Sequence, residues 1–212
     1  MSILKVFDNL IEKPLQEEIK STLLGREDNF NWFYLNDVTT QDPSVTQSRP
    51  AFDHVFYFDH AENSDFNWIP IEIVDRVVKE LKLETDEIAD SKTFLQLPLS
   101  SDYLKDNTVD TAHVDSSNPH LVFLYYVIDS DGDTIIYDKK YEEGETHLNH
   151  EMTSKLLIKK RVTPKQGRLV VFDGRYWHTA EQPKYNKRCV INTNVIYQKV
   201  GYSINKEIDA NI

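Results

Sequence analysis

TAHVD at residues 111–115 and YWH at residues 176–178 bracket the stretch of sequence that decides the fold. A His-x-Asp pair with one distant histidine is the ligand set of a 2-His-1-carboxylate facial triad, which holds a metal ion on one face and leaves other positions open. Because residues i and i+2 of an extended segment point to the same side, His113 and Asp115 can converge on one ion. His178 must then be delivered by a different strand. The spacing therefore predicts a metal site built on β-structure.

Each of the three residues also has a purely structural explanation. His113 fits a polar loop, Asp115 fits a turn before SSNP at residues 116–119, and His178 fits a packing position on a strand. Taken singly, these explanations are the more common ones; taken together, with Arg188 ten residues beyond His178, the residues favour a metal site. Imidazole nitrogens and a carboxylate oxygen suit Fe(II) or Mn(II), and the lack of cysteine ligands argues against structural zinc.

The chain from residue 93 onward reads as short strands separated by turns. The predicted strands are 93–98, 110–115, 120–128, 134–137, 154–160, 169–173, 178–181 and 189–197. Asp131-Gly132 is a tight hairpin signal between two of them. Eight short strands preceded by two helices predict a mainly β protein, a double-stranded β-helix (jelly-roll) barrel with flanking N-terminal α-helices.

The N-terminal third is predicted to support this barrel. One helix is expected at residues 15–24, with Gly25 as its C-cap, and a second at residues 69–81, because apolar residues recur there at helical spacing. Strands are expected at residues 3–10, 30–35 and 52–58, a polar loop at 39–50, and an acidic loop or loose helical extension at 84–90. We expect one domain over residues 1–212, with support in 1–92 and the barrel core in about 93–200.

Composition and net charge limit the class of protein, its partners and its location. Apolar content of 40% and charged content of 28% are ordinary for a globular protein. A net charge of −11 argues against general binding to nucleic acid, although lysines and arginines cluster between Lys155 and Arg168. The single cysteine, Cys189, cannot form an internal disulfide. Without a signal-peptide pattern or a membrane-spanning apolar run, the expected location is cytoplasmic, with no membrane partner.

An ordered set of motifs resembles the Fe(II)- and 2-oxoglutarate-dependent oxygenases, in their prolyl-hydroxylase-like branch. The motifs are HVD at 113–115, LYYV at 124–127, GDT at 132–134, VFD at 171–173, WH at 177–178 and Arg188. The resemblance covers about residues 90 to 200. It implies Fe(II) held by His113, Asp115 and His178, 2-oxoglutarate as cosubstrate, dioxygen, and ascorbate as a reductant. It also implies hydroxylation of a C–H bond, in a peptidyl proline or another amino-acid side chain.

Arg188 is the predicted anchor for the distal carboxylate of 2-oxoglutarate. A planar guanidinium grips a carboxylate through two parallel hydrogen bonds, which lysine does less well. On a strand, Arg188 shares one face with Val190, Asn192 and Asn194. An inward arginine is costly unless it meets an anion. The alternative is a charged residue at the solvent-facing start of the strand.

Two tyrosines are assigned to cofactor binding by the resemblance alone. Tyr126 matches a family tyrosine whose hydroxyl contacts the same carboxylate, and Tyr103 lies ten residues before His113, where a related tyrosine occurs. Tyr125 and Tyr126 point to opposite faces of a strand, so at most one of them lines the barrel. A packing role in the core stays open for Tyr126, and Tyr103 lies in a polar loop.

Some features depart from the family pattern and keep other functions open. The hairpin carries one glycine, Gly132, where relatives often have two, but Asp115 is present where halogenating members have a small residue, which favours hydroxylation. Alternatives are a cupin-like metalloprotein without 2-oxoglutarate chemistry and a non-catalytic jelly-roll binding module. The substrate is expected at loops 39–50, 59–66, 100–110 and 139–153. Its identity and the oligomeric state stay open.

Overall fold

The structure is a computed structural model, and it describes residues 3–26, 29–38, 47–84, 87–105, 108–145 and 148–196. The strands in these ranges are β1 (Leu4–Phe7), β2 (Phe33–Leu35), β3 (Ala51–Phe58), β4 (Ala61–Glu62), β5 (Ile88–Gln96), β6 (His120–Tyr126), β7 (Thr134–Lys140), β8 (Ile158–Val162), β9 (Leu169–Asp173), β10 (Tyr176–Ala180) and β11 (Arg188–Ile196). The helices are α1 (Lys13–Leu24), α2 (Trp68–Leu81), α3 (Ser101–Leu104) and α4 (His150–Ser154).

The strands form two antiparallel sheets. The major sheet has the order β1-β9-β6-β11-β5-β3-β2, with β4 paired to β3, and the second sheet has the order β10-β7-β8. Two isolated bridges, Val109 with Glu181 and His113 with His178, add residues 109–113 to the free edge of β10. Major-sheet neighbours far apart in sequence, such as β6 and β11, require the crossovers of a double-stranded β-helix. The predicted fold is confirmed.

The barrel interior lies between the two sheets. Its buried apolar residues come from both of them: Val122, Leu124, Tyr126, Ile136, Val162, Val170, Phe172, Tyr176 and Val190. All seven residues of β6 are buried, because the other face of the major sheet is covered as well. Alternation along β6 therefore places Tyr126 inside the barrel and Tyr125 in the cluster on the outer face.

Two N-terminal helices cover the outer face of the major sheet. Ile19 and Leu23 of α1 and Ile73 and Val77 of α2 are buried in one cluster with outward residues of β6, β9 and β11. Pro14 lies in the first turn of α1, where its missing N–H leaves no helical hydrogen bond unmade. The predicted flanking helices are thus confirmed, each starting one or two residues earlier. No helix among the described residues is long and apolar enough to cross a membrane.

Several predicted boundaries differ from the structure. Strand β5 already begins at Ile88, so the loop or helical extension predicted for 84–90 is wrong for residues 88–90. The predicted strand 154–160 is instead the end of α4 followed by β8. Helix α4 forms because the side chain of Asn149 accepts a hydrogen bond from the amide of Met152. The predicted strand 110–115 makes only isolated bridges. The hairpin predicted at Asp131-Gly132 is wrong, because β6 and β7 lie in different sheets and do not pair with each other. Residues 39–46, 85–86, 106–107, 146–147 and 197 of the predicted segments lie outside the described residues.

Candidate functional site

The two histidines at the centre of the site are neighbours across the edge of the second sheet. The amide of His113 donates to the carbonyl of His178, and the amide of His178 donates to the carbonyl of His113, both at 2.9 Å. This direct pairing puts both side chains on the same face, and their ring centroids are 4.7 Å apart. The pair is therefore fixed by backbone hydrogen bonds.

Asp115 completes a cluster whose ligand atoms converge. Its Oδ1 lies 3.5 Å from Nε2 of His113 and 3.5 Å from Nε2 of His178, and one ligand atom from each residue lies within 4.8 Å of the others. Two atoms that each lie about 2.1 Å from one ion at right angles are about 3 Å apart. The three side chains are thus spaced to share a single divalent ion.

The outer ring nitrogens of both histidines face backbone carbonyls. Nδ1 of His178 lies 2.9 Å from the carbonyl oxygen of Tyr176, and Nδ1 of His113 lies 3.4 Å from that of Thr111. A proton on each Nδ1 makes these contacts donating hydrogen bonds and leaves the Nε2 lone pairs directed at the centre of the cluster. This is the tautomer that a metal ligand requires.

Asn192 holds the second oxygen of Asp115. Its side-chain amide donates to Oδ2 of Asp115 at 2.9 Å, so Oδ1 is the oxygen left for an ion. Burial raises the pKa of Asp115, but when His113 and His178 are protonated instead of ligating an ion, the charge of His178 and the hydrogen bonds from both rings outweigh burial and hold this pKa well below its usual range. Sequence analysis assigned Asn192 no role, although strand alternation had placed it on the face of Arg188.

Arg188 lies inside the barrel, which rules out the solvent-facing alternative. Its side chain is 4% exposed. Its guanidinium donates to the carbonyl of Gly132 at 3.1 Å, to Oε1 of Gln96 at 2.8 Å and to Oγ1 of Thr134 at 2.9 Å. A guanidinium has five N–H donors, so two stay available. Within the described part of the chain, Arg188 makes no ion pair with a carboxylate.

Tyr126 is joined to Arg188 through a shared acceptor. Its hydroxyl donates to Oγ1 of Thr134 at 2.7 Å, the same oxygen that accepts from Arg188. The guanidinium carbon lies 6.0 Å from the centroid of the Tyr126 ring. Burial raises the pKa of Tyr126 to about 12, so it is a neutral phenol at neutral pH. This polar group is completed by Thr134, which the sequence analysis named only as part of the GDT motif, and by Gln96, which it did not single out.

Tyr103 is placed apart from that group. It lies on the short helix α3, is 43% exposed, and its hydroxyl donates to the carbonyl of Ser48 at 3.0 Å. Among the described residues, no hydrogen bond or ring contact joins it to Arg188 or to the three clustered residues. Its assignment to cofactor binding stays a prediction.

A buried ion pair that sequence analysis missed lies just before His113. Arg49, which is 1% exposed, donates to the carboxylate of Asp110. The amide of Asp110 in turn donates to the carbonyl of Ala180, two residues after His178 on β10. Burial raises the pKa of Asp110 to about 6 even though Arg49, Arg188 and His113 lower it. Sequence analysis assigned Arg49 to a polar loop, where nothing indicated burial.

No protein-family model and no curated protein matches the sequence. Solved structures do match: an oxidoreductase of the 2OG-Fe(II) oxygenase family from Burkholderia pseudomallei has a TM-score of 0.61 at 10% identity, over 91% of this chain and 84% of that chain. HygX from Streptomyces hygroscopicus, with nickel, 2-oxoglutarate and hygromycin B bound, has a TM-score of 0.57 at 11% identity, over 93% and 84%. A prolyl-4-hydroxylase from Pseudomonas putida has a TM-score of 0.56 at 12% identity, over 92% of each chain. The resemblance inferred from the motifs is therefore confirmed at the level of fold.

Proposed function

We propose that this protein is an Fe(II)- and 2-oxoglutarate-dependent dioxygenase that hydroxylates a C–H bond. The observation that carries the proposal is the presence, in one barrel, of the convergent His113–Asp115–His178 cluster and of a buried Arg188 with two unused donors. A cupin-like metalloprotein without 2-oxoglutarate chemistry would have no use for that guanidinium. A non-catalytic binding module would need neither feature.

The iron would be held by Nε2 of His113, Nε2 of His178 and Oδ1 of Asp115. Two nitrogen ligands and one oxygen ligand suit Fe(II), and three protein ligands leave positions for the cosubstrate and dioxygen. When bound, the iron supplies the redox chemistry that couples oxidation of 2-oxoglutarate to succinate with hydroxylation of the substrate. The protein keeps both histidines in the ligating tautomer through Tyr176 and Thr111, and it orients Asp115 through Asn192.

The distal carboxylate of 2-oxoglutarate would bind to the two remaining donors of Arg188. A carboxylate at this position would supply the buried guanidinium with the anion that it lacks among the described residues. Tyr126 would present a neutral hydroxyl beside it, because the pKa of Tyr126 is raised by burial. For Tyr103, contact with 2-oxoglutarate rests on the family resemblance alone. Bound 2-oxoglutarate in HygX supports this cosubstrate.

The substrate is proposed to carry an amino-acid side chain, a peptidyl proline or another one. A prolyl-4-hydroxylase among the similar structures supports this class, although 12% identity carries no specificity. A cytoplasmic location, a single domain and ascorbate as reductant belong to the same proposal.

Succinate formation from 2-oxoglutarate tests the function. Purified protein with Fe(II), ascorbate and air should form succinate, and Asp115→Ala should abolish this turnover because the ion loses its carboxylate ligand. Asp138→Ala, on the exposed side of β7, is the matched control and should keep it. Succinate at the same rate from Asp115→Ala, or 2-oxoglutarate that fails to bind the metal-loaded protein, would contradict the proposal.

A further inference from the structure

The inner face of the major sheet continues past the barrel interior onto β5 and β3. Phe94 of β5 packs against the interior cluster, so the residues that share its face point to the same side of the sheet. Those residues, Asp53 of β3 and Lys92 of β5, are half-buried, whereas Thr93 and His54 on the opposite face are buried. We call Asp53, Lys92 and Phe94 the inner shelf; it is open to solvent.

The inner shelf begins beside the metal-binding cluster. Lys92 lies directly opposite Asn192 in the pairing of β5 with β11, and Asn192 donates to Asp115. Directly opposed residues of an antiparallel pair have Cβ atoms about 4.5–5.5 Å apart. Only Asn192 therefore separates a molecule bound at Lys92 from Asp115. Oδ1 of Asn192 is buried without a hydrogen-bond partner among the described residues, which leaves one further acceptor at this border.

The shelf carries two opposite charges that do not meet. Asp53 pairs with Phe94 in register and Val55 with Lys92, so Asp53 and Lys92 are diagonal neighbours, about 7–8 Å apart at their Cα atoms. Neither side chain has a hydrogen bond or ion pair with another described residue. Burial raises the pKa of Asp53, while the positive charge of Lys92 lowers it, so each group lies in the field of the other. Since the two groups do not pair with each other, each can meet an opposite charge on a ligand.

We propose that the inner shelf binds a free α-amino acid, and that this is the class of substrate; this inference rests on the function proposed above. The ammonium group of the ligand would bind to Asp53 and its carboxylate to Lys92, because each charge then meets an opposite one. The side chain of the ligand would lie along Phe94 and extend past Asn192 toward the metal-binding cluster. A residue within a peptide chain has neither charged group, so the shelf favours a free amino acid over a peptidyl proline.

Stimulation of succinate formation by the twenty L-amino acids, given first as a pool and then singly, tests the proposal. At least one amino acid should stimulate turnover by the wild-type protein. Its N-acetyl and its carboxamide derivatives should each lower kcat/KM by about tenfold or more, the usual effect of losing one hydrogen bond to a charged group. A proline-containing peptide that stimulates turnover when no free amino acid does would overturn the proposal.

Substitutions of Lys92 and Asp53 test which residue binds the carboxylate and which binds the ammonium group of the ligand. Lys92→Gln should lower kcat/KM for the amino acid by about tenfold or more and show no further loss with the carboxamide. Asp53→Asn should behave in the same way toward the N-acetyl derivative. Lys160→Gln and Asp75→Asn, exposed residues on β8 and α2, are the matched controls and should behave as wild type. If the N-acetyl and the carboxamide derivatives lower kcat/KM further by the same factor, in Lys92→Gln and in Asp53→Asn alike, the assignment of the two charges is wrong.

The experiments distinguish an error in the shelf proposal from an error in the proposed oxygenase function. If 2-oxoglutarate binds together with metal but no amino acid stimulates turnover, the shelf proposal is wrong and the oxygenase stands. If 2-oxoglutarate does not bind at all, both proposals are wrong. Unfolding temperatures show whether Lys92→Gln and Asp53→Asn are folded; if they are not, the two derivatives on the wild-type protein decide the question.

Discussion

Asn192 shows how a residue without an obvious motif can determine the geometry of a site. It sits on β11 and holds the second oxygen of Asp115 at 2.9 Å. Strand alternation predicts that Asn192 faces the interior with Arg188, and this is what the structure shows. Its partner could not be predicted, because that contact depends on how far apart the two sheets lie, which one sequence does not encode in any local pattern.

We expect Asn192→Leu to weaken metal binding by about 10-fold to 100-fold, the usual effect of losing a hydrogen bond that orients a metal ligand. Mn(II) binding measured by calorimetry checks this value. Asn194→Leu, two residues further on the same face of β11, is the matched control and should bind Mn(II) as wild type does. Equal affinity in Asn192→Leu and wild type would show that Asp115 needs no such support.

The raised pKa of Asp110 makes the stability of the protein depend on pH in a defined direction. Its pKa is raised from 3.8 to about 6 by burial, so the folded state holds a proton that the unfolded state has lost between these values. The contribution of Asp110 to stability is therefore full below pH 3.8 and is lost as pH rises through about 6. The shift corresponds to about 3 kcal/mol at most.

Urea unfolding of wild type and Asp110→Asn between pH 4 and pH 7 measures this effect. The unfolding free energy of wild type minus that of the variant should fall as pH rises through this range, because asparagine does not titrate. A difference that stays constant, or that rises with pH, would mean that the ion pair with Arg49 keeps Asp110 charged throughout.

The strands and long helices were largely predictable because their patterns are local. Helical spacing identified α1 and α2, and alternation with turn residues identified most barrel strands. The irregular structure of segment 110–115 was not predictable in this way. The amide of Ala112 donates to Oγ1 of Thr153 at 3.0 Å instead of to a neighbouring strand. Such a contact joins residues 41 positions apart, so no window of the sequence reveals it.

The loop that joins β6 to β7 positions Arg188 through a glycine; because these two strands lie in different sheets, it is not the hairpin that the sequence predicts. The carbonyl of Gly132 accepts from Arg188, and a Cβ added at Gly132 would lie 2.6 Å from the carbonyl oxygen of Glu181 and 3.2 Å from Cδ of Arg188. A side chain at this position therefore requires the loop or Arg188 to move. Gly132, the one glycine of this loop where relatives often have two, is the residue that this contact requires.

We expect Gly132→Ala to weaken 2-oxoglutarate binding by about tenfold or more, because a displaced guanidinium loses hydrogen bonds to the carboxylate. Mn(II) affinity should stay at the wild-type value, since the metal-binding cluster lies on other segments. Calorimetric titrations with each ligand separate the two effects. Loss of both affinities together would indicate that the substitution disrupts the barrel as a whole.

At the scale of the whole molecule, two sheets bring distant segments to one interior. His113 and His178 come from the edge of the second sheet, whereas Arg188, Tyr126 and Asn192 come from the major sheet. The motifs predicted these residues, apart from Asn192, because their order along the chain resembles that of a known family. They did not predict the inner shelf, because its charged residues, Asp53 and Lys92, belong to no motif and become neighbours only through the register of β3 with β5.

Metal and 2-oxoglutarate are proposed to bind to one shared site, formed by the metal-binding cluster and Arg188. Calorimetric titration of 2-oxoglutarate, without oxygen and with or without Mn(II), tests it most directly in wild type, His178→Ala and Arg188→Met. We predict tight binding to wild type with metal, and weak or no binding when the metal, His178 or Arg188 is removed. Binding of 2-oxoglutarate that is equally tight without metal, or in Arg188→Met, would contradict the claim.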